Sequence, residues 1–184
     1  YQGGWSREVL LDALLGCVDV VNVCNNNFHR HKYQPRSQYS NLLNLDGFPE
    51  YPDTPEGMMR MNTDTYYRLL NCGLRLAAGA GSATGAKTTP AGYNRSYVRL
   101  EGAANATDFL EAWRGARNFV TDGPMIFLTV NGSNSPGAVI ALPESGGPVR
   151  ASARAVCNQP LRSLEIVVNG AVAANAGVRA QGHE

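Results

Sequence analysis

The sequence predicts an α/β fold, in which helices alternate with short apolar strands, followed by a short antiparallel β unit. Two observations favour this class. Up to Thr121, segments with helical spacing alternate with short apolar runs, which is the pattern of a parallel sheet. From Met125 onward, strand-like segments follow one another without helices, and two of them end in Asn-Gly, a strong turn signal. We therefore expect two units, residues 1–123 and 124–184, with a boundary near Pro124.

The first helix and strand are predicted close to the start of the chain. Ser6 can cap a helix that Gly16 can end. The run 18–23 is predicted to be a short, mostly apolar strand. The helix would bury one apolar stripe made of Val9, Leu10, Ala13 and Leu14.

A long segment without periodicity separates this strand from the next helix. It runs from Asn25 to Met59 and contains four prolines. A loop of this length is often functional, and a surface excursion that merely covers the domain is the alternative. The next helix is predicted to begin at Asn62 or Thr63 and to end at Gly73. Further along, Thr107 can cap a helix, and strands are predicted at 74–77, 97–100, 119–121, 125–130, 149–156 and 164–168.

Charge and hydropathy exclude several classes of partner. The 184 residues carry a formal net charge of +1, with 16 Lys and Arg against 15 Asp and Glu. This balance gives no electrostatic reason to expect nucleic acid or an anionic membrane as a partner. No apolar run reaches the roughly 20 residues that span a bilayer. A small or otherwise polar substrate is the partner that we expect.

The four cysteines, Cys17, Cys24, Cys72 and Cys157, are widely spaced. None of them forms Cys-x-x-Cys, so a structural zinc site is not indicated. Their neighbours are mostly apolar, which favours buried free thiols, and disulfides are the alternative. The compartment stays open, with a secreted or periplasmic location slightly favoured over the cytoplasm.

A histidine pair is the first candidate site. His29 and His31 follow the first predicted strand. Because alternate residues of extended backbone share a face, both imidazoles could face one divalent metal or one substrate group. We predict that both are catalytic and metal-binding, with an exposed pair that binds nothing as the alternative. A catalytic metal needs at least three protein ligands, and the same loop offers Asp46, Glu50, Asp53 and Glu56. The adjacent Asn26, Asn27 and Arg30 are predicted to bind substrate, although the two amides also suit a turn.

A glycine-rich loop at 79–85 is the second candidate site. Its glycines let the backbone approach a ligand closely. Ser82 and Thr84 could hydrogen-bond a ligand, and Lys87 could offer a positive charge to an anion. The alternative is a tight turn without a ligand.

Two motifs after this loop resemble a known family. Gly-Tyr-Asn-Arg-Ser-Tyr-Val at 92–98 and Phe-Val-Thr-Asp-Gly-Pro at 119–124 are similar to segments of PHP-type metallohydrolases, in the CehA/McbA-like branch. Ala-Trp-Arg-Gly-Ala-Arg at 112–117 fits the family's helix between them. The resemblance covers most of residues 5–137 and is most specific from Gly92 to Pro124.

The resemblance implies a fold and an activity. The fold would be a partial distorted (β/α) barrel of PHP type, with ligands at the carboxyl ends of its strands. The activity would be hydrolysis of ester, amide or phosphoester bonds by water activated on a divalent metal, either zinc, manganese or iron. The family's earlier metal ligands would precede Tyr1, so the missing N-terminal part of the same protein is an expected partner.

The resemblance also implies roles for individual residues. Tyr93, Asn94 and Arg95 would lie near the barrel mouth and bind substrate, with Arg95 either gripping a carboxylate or phosphate or forming a structural pair. The family's loop reads Gly-Ser-Asp-Ser-His-Gly and holds metal through its Asp and His, where this chain has Ala83 and Gly85. We therefore expect a metal-dependent hydrolase with several ligands replaced. The alternative is a non-catalytic module that binds a polar ligand or partner.

Overall fold

The computed structural model describes residues 2, 3, 8–25, 51, 52, 54–85 and 89–176. The chain divides into two compact units, Tyr1–Asp122 and Gly123–Glu184, which we call the N-terminal and C-terminal units. The described part is α/β and contains β1 (Gln2–Gly3), α1 (Val9–Leu14), β2 (Val20–Asn25), α2 (Pro55–Asn71), β3 (Ala77–Gly81), β4 (Arg95–Val98), α3 (Ala106–Arg114), β5 (Asn118–Thr121), β6 (Met125–Val130), β7 (Ala151–Val156), β8 (Leu164–Val168) and β9 (Ala171–Ala176).

A three-stranded parallel sheet organises the N-terminal unit. Its order is β1-β2-β3, and β2 pairs with β3 from Val20 opposite Ala77 to Asn25 opposite Gly81. All six residues of β2 are buried, in keeping with the mostly apolar run from which a strand is predicted here. The strand begins two residues later than predicted, at Val20. The strand predicted at 74–77 mostly precedes β3, because its leucines enter the core from the connecting loop.

One hydrophobic cluster joins helices α1 and α2 to the sheet. Val9 and Ala13 of α1 pack with Val21 of β2 and Leu69 of α2. The prediction that Leu10 and Leu14 are also buried is wrong, since their side chains are 48% and 64% exposed. A helix of only six residues covers the sheet along a narrow line, which leaves its flanks in solvent.

The start of α2 differs from the sequence prediction. The helix begins at Pro55, and the hydroxyl of the capping residue Thr54 accepts a hydrogen bond from the N–H of Gly57 at 3.1 Å. Proline is favourable at the first helical position because its missing N–H would be unpaired there anyway. Asn62 therefore lies inside the helix and does not cap it. The cap of α3 is likewise Asn105, two residues before the predicted one.

The predicted partial barrel is wrong, because the described sheet ends at β3. The strands β4 and β5 pair antiparallel with each other, and side chains satisfy the outer edge of β3. Trp113 Nε1 and Asn118 Nδ2 donate to the carbonyl of Ala78 at 3.0 and 2.7 Å. The hydroxyl of Ser96 accepts from the N–H of Ala80 at 3.0 Å. These side chains occupy backbone groups that a further parallel strand would need, so the sheet does not continue toward closure.

The C-terminal unit consists of two antiparallel ribbons, β6–β7 and β8–β9. The strands predicted at 125–130 and 164–168 are confirmed, and the one predicted at 149–156 begins two residues later. No residue from 123 to 176, the described part of this unit, is buried. Arg154 stacks over the ring of Phe127 at 4.4 Å, a contact that covers part of an exposed aromatic.

Candidate functional site

Polar side chains collect at the carboxyl ends of β2 and β3, the edge where open α/β sheets place their ligands. Cys24 and Asn25 end β2, and Ser82 follows the last residue of β3. Asn94 reaches the same edge from the loop before β4, and Arg95 is the next residue. We call these five residues the strand-end cluster. All except the half-buried Arg95 are buried.

The side chain and backbone of Asn94 hold this cluster together. Its Nδ2 donates to the carbonyl of Gly81 at 3.0 Å, and the Cys24 thiol donates to its Oδ1 at 3.5 Å. Its backbone N–H donates to the hydroxyl of Ser82 at 3.0 Å, and that hydroxyl donates in turn to its carbonyl at 3.4 Å. Asn94 therefore fastens the loop before β4 to the ends of two parallel strands.

Burial and two charged residues determine the pKa of Cys24. Burial raises the pKa of the Cys24 thiol to about 12, the carboxylate of Asp122 adds to the increase, and the guanidinium of Arg95 opposes it. The thiol is therefore neutral at physiological pH and acts as a hydrogen-bond donor to Asn94. Arg95 directly follows Asn94, whose side chain contacts both strand ends, so Arg95 lies at this edge of the sheet.

The glycine-rich loop contains two residues with positive φ angles. Ala83 and Gly85 have φ angles of +51° and +92°. The hydroxyl of Thr84 donates to the carbonyl of Thr89 at 3.1 Å, which closes the loop on itself. The hydroxyl of Ser82 is engaged with Asn94, so both predicted ligand-binding hydroxyls of this loop have partners within the protein.

Most of the other predicted site residues lie outside the described residues: His29, His31, Asn26, Asn27, Arg30 and Lys87. Tyr93 is described, is 40% exposed and directly precedes Asn94. Within the described ranges, no group of three or more His, Cys, Asp or Glu side chains could hold a metal ion. At the position where the PHP-type loop has its aspartate ligand, Ala83 carries no donor atom for a metal.

Two buried polar side chains near this site were not predicted. Asn62 is 1% exposed, and neither its Oδ1 nor its Nδ2 has a hydrogen-bond partner among the described residues. The buried hydroxyl of Thr89 also lacks one. The helical spacing of Asn62 with Met58 would have revealed its buried position if the start at Pro55 had been recognised.

The cysteines and the helices bear on location. All four cysteines are described and free, and only Cys24 is buried, so the expectation of buried thiols is wrong for Cys17 and Cys72, which are exposed. Among the described helices, none has both the length and the apolar character needed to cross a membrane.

Comparison with known proteins was made at three levels. A scan against protein-family models gives no match, and searches of curated proteins and of solved structures give none either.

Proposed function

We propose that the N-terminal unit binds a small polar molecule with a carboxylate or phosphate group at the strand-end cluster, and that Arg95 is the anion-binding residue. The position of Arg95 is the observation that carries the proposal. Its neighbour Asn94 is fixed to both strand ends, and its charge acts on the buried Cys24. A guanidinium presents its donors in a planar fork that matches carboxylate and phosphate oxygens.

Binding without catalysis is the better-supported form of this proposal. A cysteine nucleophile must be a thiolate, and the pKa of Cys24 is raised to about 12. The hydroxyl of Ser82 is buried and both donates to and accepts from the backbone of Asn94, so its partners among the described residues are backbone groups and not a general base. These contacts support a structural role for both side chains.

Titration calorimetry with inorganic phosphate and with succinate tests the proposal. We expect at least one of the two anions to bind with a Kd of about 1 mM or tighter. Arg95→Gln removes the charge and should weaken that binding at least tenfold, whereas the matched variant Arg99→Gln, at an exposed position four residues on, should leave it unchanged. Equal affinity in the Arg95 and Arg99 variants, or no binding of either anion, would exclude the proposal.

Metal-dependent hydrolysis is a second candidate. The position of the Tyr93–Arg95 segment at the strand ends supports it, because the resemblance to PHP-type hydrolases implies that position. Its ligands would have to include His29 and His31. Elemental analysis after dialysis against zinc or manganese, in parallel with His29→Ala and with His183→Ala as the control, tests it. Metal retained by the control but lost in His29→Ala would support this candidate, and no retained metal in the unmodified protein would exclude it.

A secreted or periplasmic location stays a prediction. Oxidising compartments favour disulfides, and the free thiols of Cys17 and Cys72 are exposed to such chemistry. Cell fractionation, followed by mass spectrometry of the peptides that contain Cys17 and Cys72, measures both the location and the redox state.

A further inference from the structure

The carboxamide of Asn62 is a buried polar group without a protein partner. It lies within α2, and its side chain is 1% exposed. In the part of the chain that the structure describes, both its acceptor Oδ1 and its donor Nδ2 lack hydrogen bonds. A buried amide in this state destabilises the fold, because it has lost water and gained nothing in return. Such a group in a folded protein calls for an explanation, such as a functional role or a bound water or ion.

The neighbours of Asn62 on α2 place it near the proposed binding site. Met58, Met61, Asn62 and Leu69 are buried and recur at helical spacing, so they share the face of α2 that packs on the sheet. Met58 and Met61 pack against Cys24 at the end of β2, while Leu69 packs in the cluster with Val18 nearer the start of that strand. Asn62 therefore belongs to the part of α2 that covers the strand-end cluster.

We propose that Asn62 is a ligand-binding residue whose amide pairs with a carboxamide of the bound molecule. The Oδ1 and Nδ2 of Asn62 offer an acceptor and a donor side by side, and a carboxamide presents the complementary pair. This inference rests on the proposed function and narrows its ligand class to molecules that carry both an anionic group for Arg95 and a carboxamide for Asn62. Because the amide is shielded from water, the two hydrogen bonds form in a medium of low dielectric constant, where they are stronger than in solvent.

Calorimetry with matched small molecules tests this inference. Succinamate carries a carboxylate and a carboxamide, and succinate replaces the carboxamide with a second carboxylate. We expect the unmodified protein to bind succinamate about tenfold more tightly than succinate, since two hydrogen bonds to a buried amide are gained. Asn62→Leu and Asn62→Ala should abolish that preference, and Met61→Leu, at the adjacent buried position, should retain it. Equal affinities in the unmodified protein, or a preference that survives both Asn62 variants, would overturn the inference.

A third probe separates this inference from the proposed function. Butyramide carries the carboxamide without an anion. If succinate and phosphate do not bind, the role of Arg95 fails, and binding of butyramide that Asn62→Leu abolishes would still support the role of Asn62. If butyramide and succinamate also fail to bind, the role of Asn62 is refuted.

Thermal unfolding without ligand gives an independent readout. Leucine has nearly the shape of asparagine and no polar atoms, so Asn62→Leu should raise Tm when the amide has no structural partner. A residue that is retained only for stability would show the opposite change. A lower Tm for Asn62→Leu, with Met61→Leu close to the unmodified protein, would show that Asn62 acts through structural hydrogen bonds and would contradict the inference.

Discussion

Trp113 and Asn118 donate hydrogen bonds to the same acceptor, the carbonyl oxygen of Ala78, at 3.0 and 2.7 Å. Ala78 lies in β3, the last strand of the described parallel sheet, where an unpaired carbonyl would otherwise face the side on which another strand could add. The two donors come from α3 and β5. Their shared acceptor therefore anchors both elements to the sheet and closes its edge with side chains.

A double-mutant cycle on these donors should be non-additive. In Trp113→Phe or Asn118→Leu, the carbonyl of Ala78 keeps one donor, so we expect each to cost about 1 kcal/mol beyond any change in packing. The double variant leaves the carbonyl without a donor, and its cost should exceed the sum of the single costs by about 1 kcal/mol. Urea unfolding followed by circular dichroism measures all four free energies of unfolding. Additivity within about 0.5 kcal/mol would show that the carbonyl does not depend on these side chains.

The sequence predicts those parts of the fold that depend on local patterns. The run 18–23 marks β2 because it is mostly apolar, as expected of a strand buried on both faces, and Asn-Gly marks the end of β8. The end of the sheet could not be predicted in this way. It depends on Trp113 and Asn118, which are 35 and 40 residues away from Ala78 in the chain, and no local period reports such a contact.

In the candidate site, too, some residues can be predicted from local sequence patterns and others cannot. Asn94 and Arg95 were identified through a motif, and the structure places them at strand ends. The sequence alone favours Asn62 as a helix cap, because asparagine is common at that position and the observed start at Pro55 follows a proline-rich run. An asparagine can either cap a helix or lie buried within one. Only the position at which the helix begins decides between these two roles for Asn62.

Asn94→Ala should destabilise the N-terminal unit markedly. The variant loses the bond from Nδ2 to the Gly81 carbonyl and leaves the buried Cys24 thiol without its acceptor Oδ1. We expect a loss of about 2–3 kcal/mol in the free energy of unfolding, because buried partners are left unsatisfied. Thr107→Ala, at an exposed position of α3, is the control and should change stability by less than about 0.5 kcal/mol. A loss of similar size in both variants would contradict the central role of Asn94.

Cys24 should make the protein less stable at alkaline pH. Its pKa is about 12 in the folded protein, against about 8.5 for an exposed cysteine in the unfolded chain. The folded state therefore binds more protons than the unfolded state in this window, so the stability that Cys24 contributes is complete below about pH 8.5 and is lost as pH rises toward 12. Cys24→Ala should flatten part of that decline.

Urea unfolding between pH 8 and 11 measures this effect, with Cys72→Ala, an exposed thiol, as the control. Some decline should persist in Cys24→Ala, because burial also raises the pKa of Tyr66 to about 12. Iodoacetamide at pH 8 adds a second readout, since it should modify Cys17 and Cys72 well before Cys24. Identical pH profiles for the Cys24 and Cys72 variants, or rapid alkylation of Cys24, would refute the assigned environment.

Introducing the aspartate and histidine of the PHP-type loop at positions 83 and 85 should affect stability to different extents. Ala83 has a φ of +51°, a region that aspartate adopts more readily than alanine, so Ala83→Asp should change stability by less than about 0.5 kcal/mol. Gly85 has a φ of +92°, which side chains other than glycine rarely adopt. Gly85→His should therefore cost about 1–2 kcal/mol, even though a Cβ there meets no other atom within 4 Å.

Gly102→His separates backbone strain from the effect of adding an imidazole. Gly102 also has open space around its Cβ position, but it lies outside the positive-φ region, so its substitution should be close to neutral. Thermal unfolding of the three variants measures the difference. If Gly85→His and Gly102→His are equally stable, the loop can adopt a conformation that accommodates a histidine. A higher cost at Gly85 alone means that the loop backbone, as well as its side chains, differs from what a metal-binding histidine at this position requires.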